Sequence, residues 1–361
     1  MELTQQSTAV NMAKVALITD THFGARSDSI PFDDFFRKFY MESFWPEIDK
    51  RGITTIFHLG DCFDRRKYIN FNTLKSCREY FFDQAKQRNV NIVMIVGNHD
   101  TFFKNTNDVN SPGLLLQDYD NITAYSGPVE YSVDGLSILL MPWICSDNYT
   151  ECMEAVKITN SPVMFGHLEI AGFQMYKGHD NDGGFDPKLF SKFDLVCSGH
   201  FHHRSSSGNI SYLGNPYELT WADYDDPRGF HIFDTSNLGL EFIPNPYNIF
   251  TKIYYDDTKD DKLITDCSNQ HIKLIVVNKT DFYKFDQYIE SLYKTNPLEL
   301  KIVEDLSEFE AEAFGNEDVD LEDTLTLLSQ YVDNLDTDAD KDRIKTLMKT
   351  LYVEAQNYEE A

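Results

Sequence analysis

Five apolar runs in the first two-thirds of the chain each stop abruptly at residues that bind metals. KVALITDTH ends on Asp20 and His22, TTIFHLGDCFD on Asp61 and Asp64, NIVMIVGNHD on Asn98, His99 and Asp100, SPVMFGH on His167, and DLVCSGHFHH on His200, His202 and His203. A continuous apolar run has no polar face, so it suits a strand covered on both sides rather than one at a wet surface. Ligands gather at the carboxyl ends of such strands. One D-x-H or H-x-H arises readily by chance, whereas five ligand-bearing ends in succession predict an assembled metal site.

On extended backbone, residues two apart share a side. Asp20 with His22, and His200 with His202, are therefore expected to point together, with His203 turned away. Carboxylate, imidazole and amide oxygen without thiolate suit manganese, iron, zinc or magnesium better than copper or an iron–sulfur cluster. These ligands are too many for one ion. Two ions roughly 3.5–4 Å apart need a bridging carboxylate, and Asp61 is the candidate.

Between the runs, Phe32–Trp45 and Thr73–Arg88 have helical spacing, while SILLMPW and RGFHIFD look like further strands. This is an α/β pattern, expected to form two sheets layered between helices. The texture changes at NPYN, and HIKLIVVN, DFYKFDQYIESLYK and PLELKIVED then form a small βαβ unit. The expected organisation is a leader (1–13), a catalytic body (14–245), an accessory domain (250–305), an acidic linker (306–320) and a helical tail (321–361). In the tail, Leu325, Leu328 and Val332 continue a helical stripe begun at Leu321, and Leu347 and Leu351 belong to a second. These helices either fold back on their own domain or, as favoured here, dock on a partner protein.

With 42% hydrophobic and 14% aromatic residues, a folded chain is expected. No apolar run approaches the roughly 20 residues of a membrane span, and VALI is too short for a signal-peptide core, so a cytoplasmic protein is expected. Six cysteines without C-x-x-C spacing read as free thiols. The net charge of −27 argues against nucleic-acid binding, although 18 acidic against 4 basic residues from Glu304 to Ala361 carry −14 of it. Arg26, Arg65, Arg66, Lys67, Lys104 and Arg204 lie beside the ligand motifs. They either make a local path for a phosphate backbone or are ordinary solvated charges.

The motifs D-x-H, G-D-x-x-D, G-N-H-D, G-H and G-H-x-H, in this order over about residues 14–235, resemble those of calcineurin-like metallophosphoesterases. Within that superfamily, DTHFG, GDCFDRRK, GNHD and NPYELTWADYDDPRGF are most similar to the SbcD-type recombination nucleases, phage-encoded members included. The small domain, acidic tether and LYVEAQ-containing tail extend the likeness. The leader before Lys14 departs from it, making Met12 an alternative start.

The resemblance implies a four-layer sandwich with one metal on Asp20, His22, Asp61 and His202 and the other on Asp61, Asn98, His167 and His200. His99 would protonate the leaving O3′ or stabilise its charge, Asp100 would orient His99, and Asp64 would be structural. It further implies manganese-dependent 3′-to-5′ exonuclease action on duplex DNA and endonuclease action on single strands, in recombination and end processing. The implied partner is an SbcC-type coiled-coil ATPase bound by the tail, with two nuclease chains in a heterotetramer. Phe35, Phe36, Phe39, Tyr80 and Phe81, on the helices Phe32–Trp45 and Asn70–Arg88, are candidates for pairing the two copies, unless they are core. A phosphatase or phosphodiesterase of the same superfamily, or a non-catalytic scaffold for the ATPase, are the alternatives. His58, His179, His203, His231 and His271 are expected to be structural or surface residues.

Overall fold

The computed structural model describes residues 14–259 and 266–304, together with Lys341 and Ile344. The leader, the whole linker and the tail positions Leu325, Leu328, Val332, Leu347 and Leu351 lie outside the described residues.

Two six-stranded sheets form the centre. In the first, Lys14–Ile18, Thr55–His58, Asn91–Ile95 and Ile122–Tyr125 run parallel, flanked by the antiparallel pair Gly229–Asp234 and Gly239–Pro244. In the second, Leu136–Met141, Val163–His167, Leu195–Gly199 and Ile210–Tyr212 are parallel, with Val129–Val133 and Ser205–Ser207 antiparallel at the edges.

Burial separates into three layers of core, as alternating side chains require. Val15, Leu17, Phe57, Val93, Leu140, Phe165 and Cys197 form the seam between the sheets. The opposite residues of the first sheet, Ala16, Ile18, Ile56 and Met94, pack under helices. Those of the second, Leu139, Met164 and Val196, pack under the helix Tyr149–Ile158 through Cys152 and Val156. Helix, sheet, sheet and helix make four layers. All six cysteines are free and buried.

The first helical stretch runs longer than its periodicity predicts. Helical segments Ile30–Phe39 and Trp45–Arg51 flank a wide π-type turn, Tyr40–Phe44. Pro46 has no N–H to donate back, and the widened turn before it accommodates its ring. Phe71–Cys77, Arg78–Phe82 and Asp83–Gln87 repeat the arrangement. Tyr40 and Tyr80, one from each wide turn, stack with centroids 5.4 Å apart.

The five rings offered as candidates for pairing are core. Phe36, Phe39, Tyr80 and Phe81 are at most 1% exposed and Phe35 is 9%. A helix laid on a sheet must bury one apolar stripe, and these rings are that stripe, packed on Phe23, Phe44 and Tyr217.

A third sheet, Phe250–Asp256, His271–Asn278 and Glu299–Glu304, carries the helix Phe282–Tyr293 on a core of Tyr255, Leu274, Phe285 and Leu292. It belongs to the same compact unit, Met1–Val303, as the two large sheets. The contact runs through Phe250 and His271, which meet Phe32 and Trp221. No helix among the described residues is long and apolar enough to cross a membrane.

Candidate metal centre

The strand ends from Ile18, His58, Ile95, His167 and Gly199 deliver their ligand residues to one place, because parallel strands of facing sheets end at the same edge. The local backbone there differs from the extended form that period-two spacing assumes. Asp20, His22, Asp61 and His200 all have positive φ, at 52°, 41°, 52° and 88°. Non-glycine residues held in left-handed conformations cost of order 1–3 kcal/mol each and cluster at functional sites. The side chains converge because the chain turns sharply past each strand, not because alternate residues share a face.

Glycines make room for this. A methyl group at Gly97 would collide with the backbone nitrogen and carboxylate of Asp61, and one at Gly199 with the Thr19 hydroxyl.

Among the described residues, two groups are close enough to hold a cation each: Asp20, His22 and His202, and Asp61, His167 and His200. In the first, the Nε2 atoms of His22 and His202 face each other at 3.1 Å. Asp20, fully buried, takes the backbone N–H of His200 and the Thr19 hydroxyl. In the second, Asn98 Oδ1 lies 3.0 Å from His167 Nε2 and 2.9 Å from His200 Nδ1. Asp61 stands between the groups. Its Oδ2 is 3.4 Å from His167 Nε2 and 3.9 Å from His22 Nε2, while its Oδ1 accepts the backbone N–H of His99 at 2.7 Å. His200 and His202 therefore face different groups, and His203 turns away to Asp226, 2.8 Å distant.

The chemistry of these donors fits divalent cations. His167 Nδ1 lies 2.7 Å from the carbonyl of Leu59, which can only accept, so the neutral ring carries its lone pair on the inward Nε2. That atom, Asn98 Oδ1 and Asp61 Oδ2 are three electron-rich atoms turned on one another. Burial alone would lower the basicity of His22 and His167. The carboxylates of Asp64, Asp61 and Asp20 outweigh it at His22, and those of Asp61 and Asp20 at His167, pushing each up to about 9. Burial also raises Asp20 to about 6 and lowers His200 to about 3. Negative charge buried this deeply calls for cations, and hard or borderline ions suit the oxygen and imidazole donors.

His99 sits at the mouth, its ring edge-on to His22 at 4.9 Å, with Nδ1 held 2.7 Å from the carbonyl of Asp64. The Asp64 carboxylate lies 3.4 Å from His22 Nδ1. The role expected of Asp100 needs correction. Its carboxylate does not orient His99. It accepts the backbone N–H groups of Cys62 and Phe63 on one oxygen and that of Gly97 on the other, tying the G-D-x-x-D and G-N-H-D loops together.

A cavity of about 310 Å³ opens onto these residues, walled further by Arg26, Met175, Tyr176, Leu219 and Thr220. Arg65, Arg66 and Lys67 line a neighbouring groove with Tyr68, Phe102 and Leu114. Lys104 is exposed, and the guanidinium of Arg204 lies 4.3 Å over the Phe242 ring. His58, buried, meets the Thr21 hydroxyl at 3.0 Å, and His231 is likewise buried, whereas His271 pairs with Glu299. Apart from Arg26, sequence reasoning assigned no role to the cavity walls or to residues 215–228, which pass beneath the site. The charged and aromatic residues of NPYELTWADYDDPRGF were the available signal.

Residues 13–204 match the calcineurin-like phosphoesterase family. The chain is 32% identical over 348 residues to "Exonuclease subunit 1" of Enterobacteria phage T4, covering 95% of this chain and 99% of that one. A solved archaeal phosphodiesterase is 14% identical, covering 64% of this chain and 99% of its own, with a TM-score of 0.32. By the family match and the length of the phage similarity, this chain belongs to the calcineurin-like phosphoesterases.

Proposed function

We propose that the protein is a two-metal DNA nuclease and the nuclease subunit of an SbcC-type ATPase complex. The observation that carries the reading is the position of Asp61 Oδ2, facing both groups of candidate ligands across 3.4 and 3.9 Å. In this reading one ion is held by Asp20, His22, Asp61 and His202, the other by Asp61, Asn98, His167 and His200. Such a pair, with manganese the favoured metal, would supply charge neutralisation at a phosphodiester and a more acidic water as nucleophile. The protein's own part is to hold the ligands, exclude competing geometry and deliver a proton. His99 is placed for that delivery, since Asp64 fixes its Nδ1–H and leaves Nε2 for the leaving O3′. Burial lowers its basicity, so the phosphate's negative charge is what favours the imidazolium.

The name of the phage relative, an exonuclease subunit, supports DNA as substrate and a partner chain. Duplex 3′-to-5′ exonuclease and single-strand endonuclease activities, in end processing and recombination-dependent replication, follow from the likeness to SbcD-type enzymes. Arg26 in the metal cavity and Arg65, Arg66 and Lys67 in the adjoining groove would receive the DNA backbone. Residues 14–245 would act as the nuclease body, 250–305 as an accessory domain, 306–320 as a tether and 321–361 as the ATPase-docking tail. A pairing of two copies would use exposed apolar residues such as Ile30, Met41 and Phe71 rather than the buried rings.

The test is incubation of purified protein with labelled duplex and single-stranded DNA, with manganese or magnesium, with and without the coiled-coil ATPase. Hydrolysis of nitrophenyl phosphate with no action on DNA would replace this reading with a phosphatase.

A further inference from the structure

We propose that Arg228 is a positioning residue for one half of the metal centre, the half built on Asp20, His22 and His202. The proposal rests on the two-metal reading above.

Arg228 is 5% exposed and lies beneath the site. Its Nη1 donates to the backbone carbonyl of His202 and to the Asn215 side chain. Its Nη2 donates to Asp223 Oδ1 at 3.0 Å and Asp226 Oδ2 at 2.7 Å. The guanidinium is planar, so fixing one arm between two carboxylates fixes the direction of the other. Both carboxylates are anchored in turn. Asp223 Oδ2 accepts the backbone N–H groups of Leu219 and Thr220, at 2.7 and 2.9 Å, and Asp226 accepts from His203. The His202 carbonyl, which also receives the Asn215 N–H at 3.3 Å, is thus held from below, and its ring is set facing His22.

The same stretch of chain grips the other side of this half-site. The Tyr217 hydroxyl donates to the carbonyl of Thr21, the residue between Asp20 and His22, at 2.5 Å. Tyr217 is itself immobilised by stacking on Phe36 at 3.8 Å. Residues 215–228 therefore hold both loops of one half-site. The supports of the other half come from outside residues 215–228: His167 from the Leu59 carbonyl, Asp61 from the His99 N–H, and His200 through its own N–H on Asp20. Loss of Arg228 should accordingly act on one ion and spare the other.

The experiment is manganese titration of the full chain by calorimetry, with electron paramagnetic resonance to distinguish a spin-coupled pair from an isolated ion. Wild type, Arg228→Lys, Arg228→Met and Tyr217→Phe are compared. Arg228→Lys keeps the charge against Asp223 and Asp226 and loses the fork, so it stays folded even where Arg228→Met, which takes the cation from two buried carboxylates, does not. The expected result is two ions in wild type. In Arg228→Lys one affinity should fall about 10-fold or more while the other stays within about 3-fold, in the range for groups that orient a metal ligand. An isolated-ion spectrum should then replace the coupled one. Tyr217→Phe should weaken the same ion. Two unchanged ions in Arg228→Lys, or equal weakening of both, would overturn the positioning role while leaving the two-metal reading intact. A wild type that takes up one ion only would overturn that reading, and this proposal with it.

Discussion

The Nδ1 atom of His99 lies 2.7 Å from the backbone carbonyl oxygen of Asp64. A carbonyl only accepts, so the contact sets the tautomer and leaves Nε2 as the working nitrogen. His99→Ala should lower DNA cleavage by about 10²-fold or more, the usual weight of a positioned proton donor. Both metal affinities should stay within about 3-fold, because no ring atom of His99 belongs to either ligand group. Single-turnover cleavage and manganese titration on the same preparation check this, and an unchanged cleavage rate would refute the role.

Asp61→Asn should remove the shared ligand. An amide offers one neutral oxygen where the carboxylate presents Oδ2 to both groups and Oδ1 to the His99 N–H. Metal content after dialysis, by elemental analysis, should fall from two ions to at most one, with cleavage reduced about 10²-fold or more. Two tightly held ions in the variant would contradict the bridging position.

Asp100→Asn should act on stability before chemistry. Both oxygens of Asp100 accept backbone N–H groups, so an amide nitrogen must face one of those donors. An unsatisfied buried donor costs about 1–3 kcal/mol. The thermal midpoint should fall by several degrees, as scanning calorimetry would show. An unchanged midpoint with lost cleavage would restore a direct role at His99.

Glu218 gives the pH dependence of folding a specific source. Burial, aided by Asp223, pushes its carboxyl up to about 7 from 4.5, against the N–H groups of Phe250 and Ile249. A group that binds its proton more tightly when folded contributes stability that is full below about pH 4.5 and is lost as pH rises through about 7. A displacement of that size is worth about 3 kcal/mol. Glu218→Gln keeps an oxygen for both N–H groups, which share Oε2 in the wild type. The gap between variant and wild-type unfolding free energies should therefore widen in the variant's favour from pH 5 to 8. Denaturant titrations at both pH values test it, and a constant gap would exclude Glu218.

Removing residues 305–361 should abolish binding to the coiled-coil ATPase while leaving manganese-dependent cleavage of short DNA within about 3-fold of the full chain, since no proposed ligand lies there. Co-purification and cleavage assays measure the two effects. A surviving complex would place the docking surface elsewhere.

The strands and the ligand inventory were legible in the sequence because both are local. An apolar run such as NIVMIV can be satisfied only by burial on two faces, and the carboxylates, imidazoles and amide that follow each run are chemically suited to metals wherever the chain leads. Which of those residues meet was not local. Period-two spacing anticipated that Asp20 and His22 would converge, but they do so through left-handed backbone whose cost the surrounding packing must cover. Phe36 and Tyr80 are apolar or amphipathic in any context, and the sheet beneath their helices decided that they are core. Asp100 sits beside His99 in the chain, yet its carboxylate is taken by N–H groups of Cys62 and Phe63, up to 38 residues away. Arg228 reaches His202 across 26. A sequence displays which groups a residue can bind, whereas a buried polar group must take whichever partner the tertiary fold brings within reach.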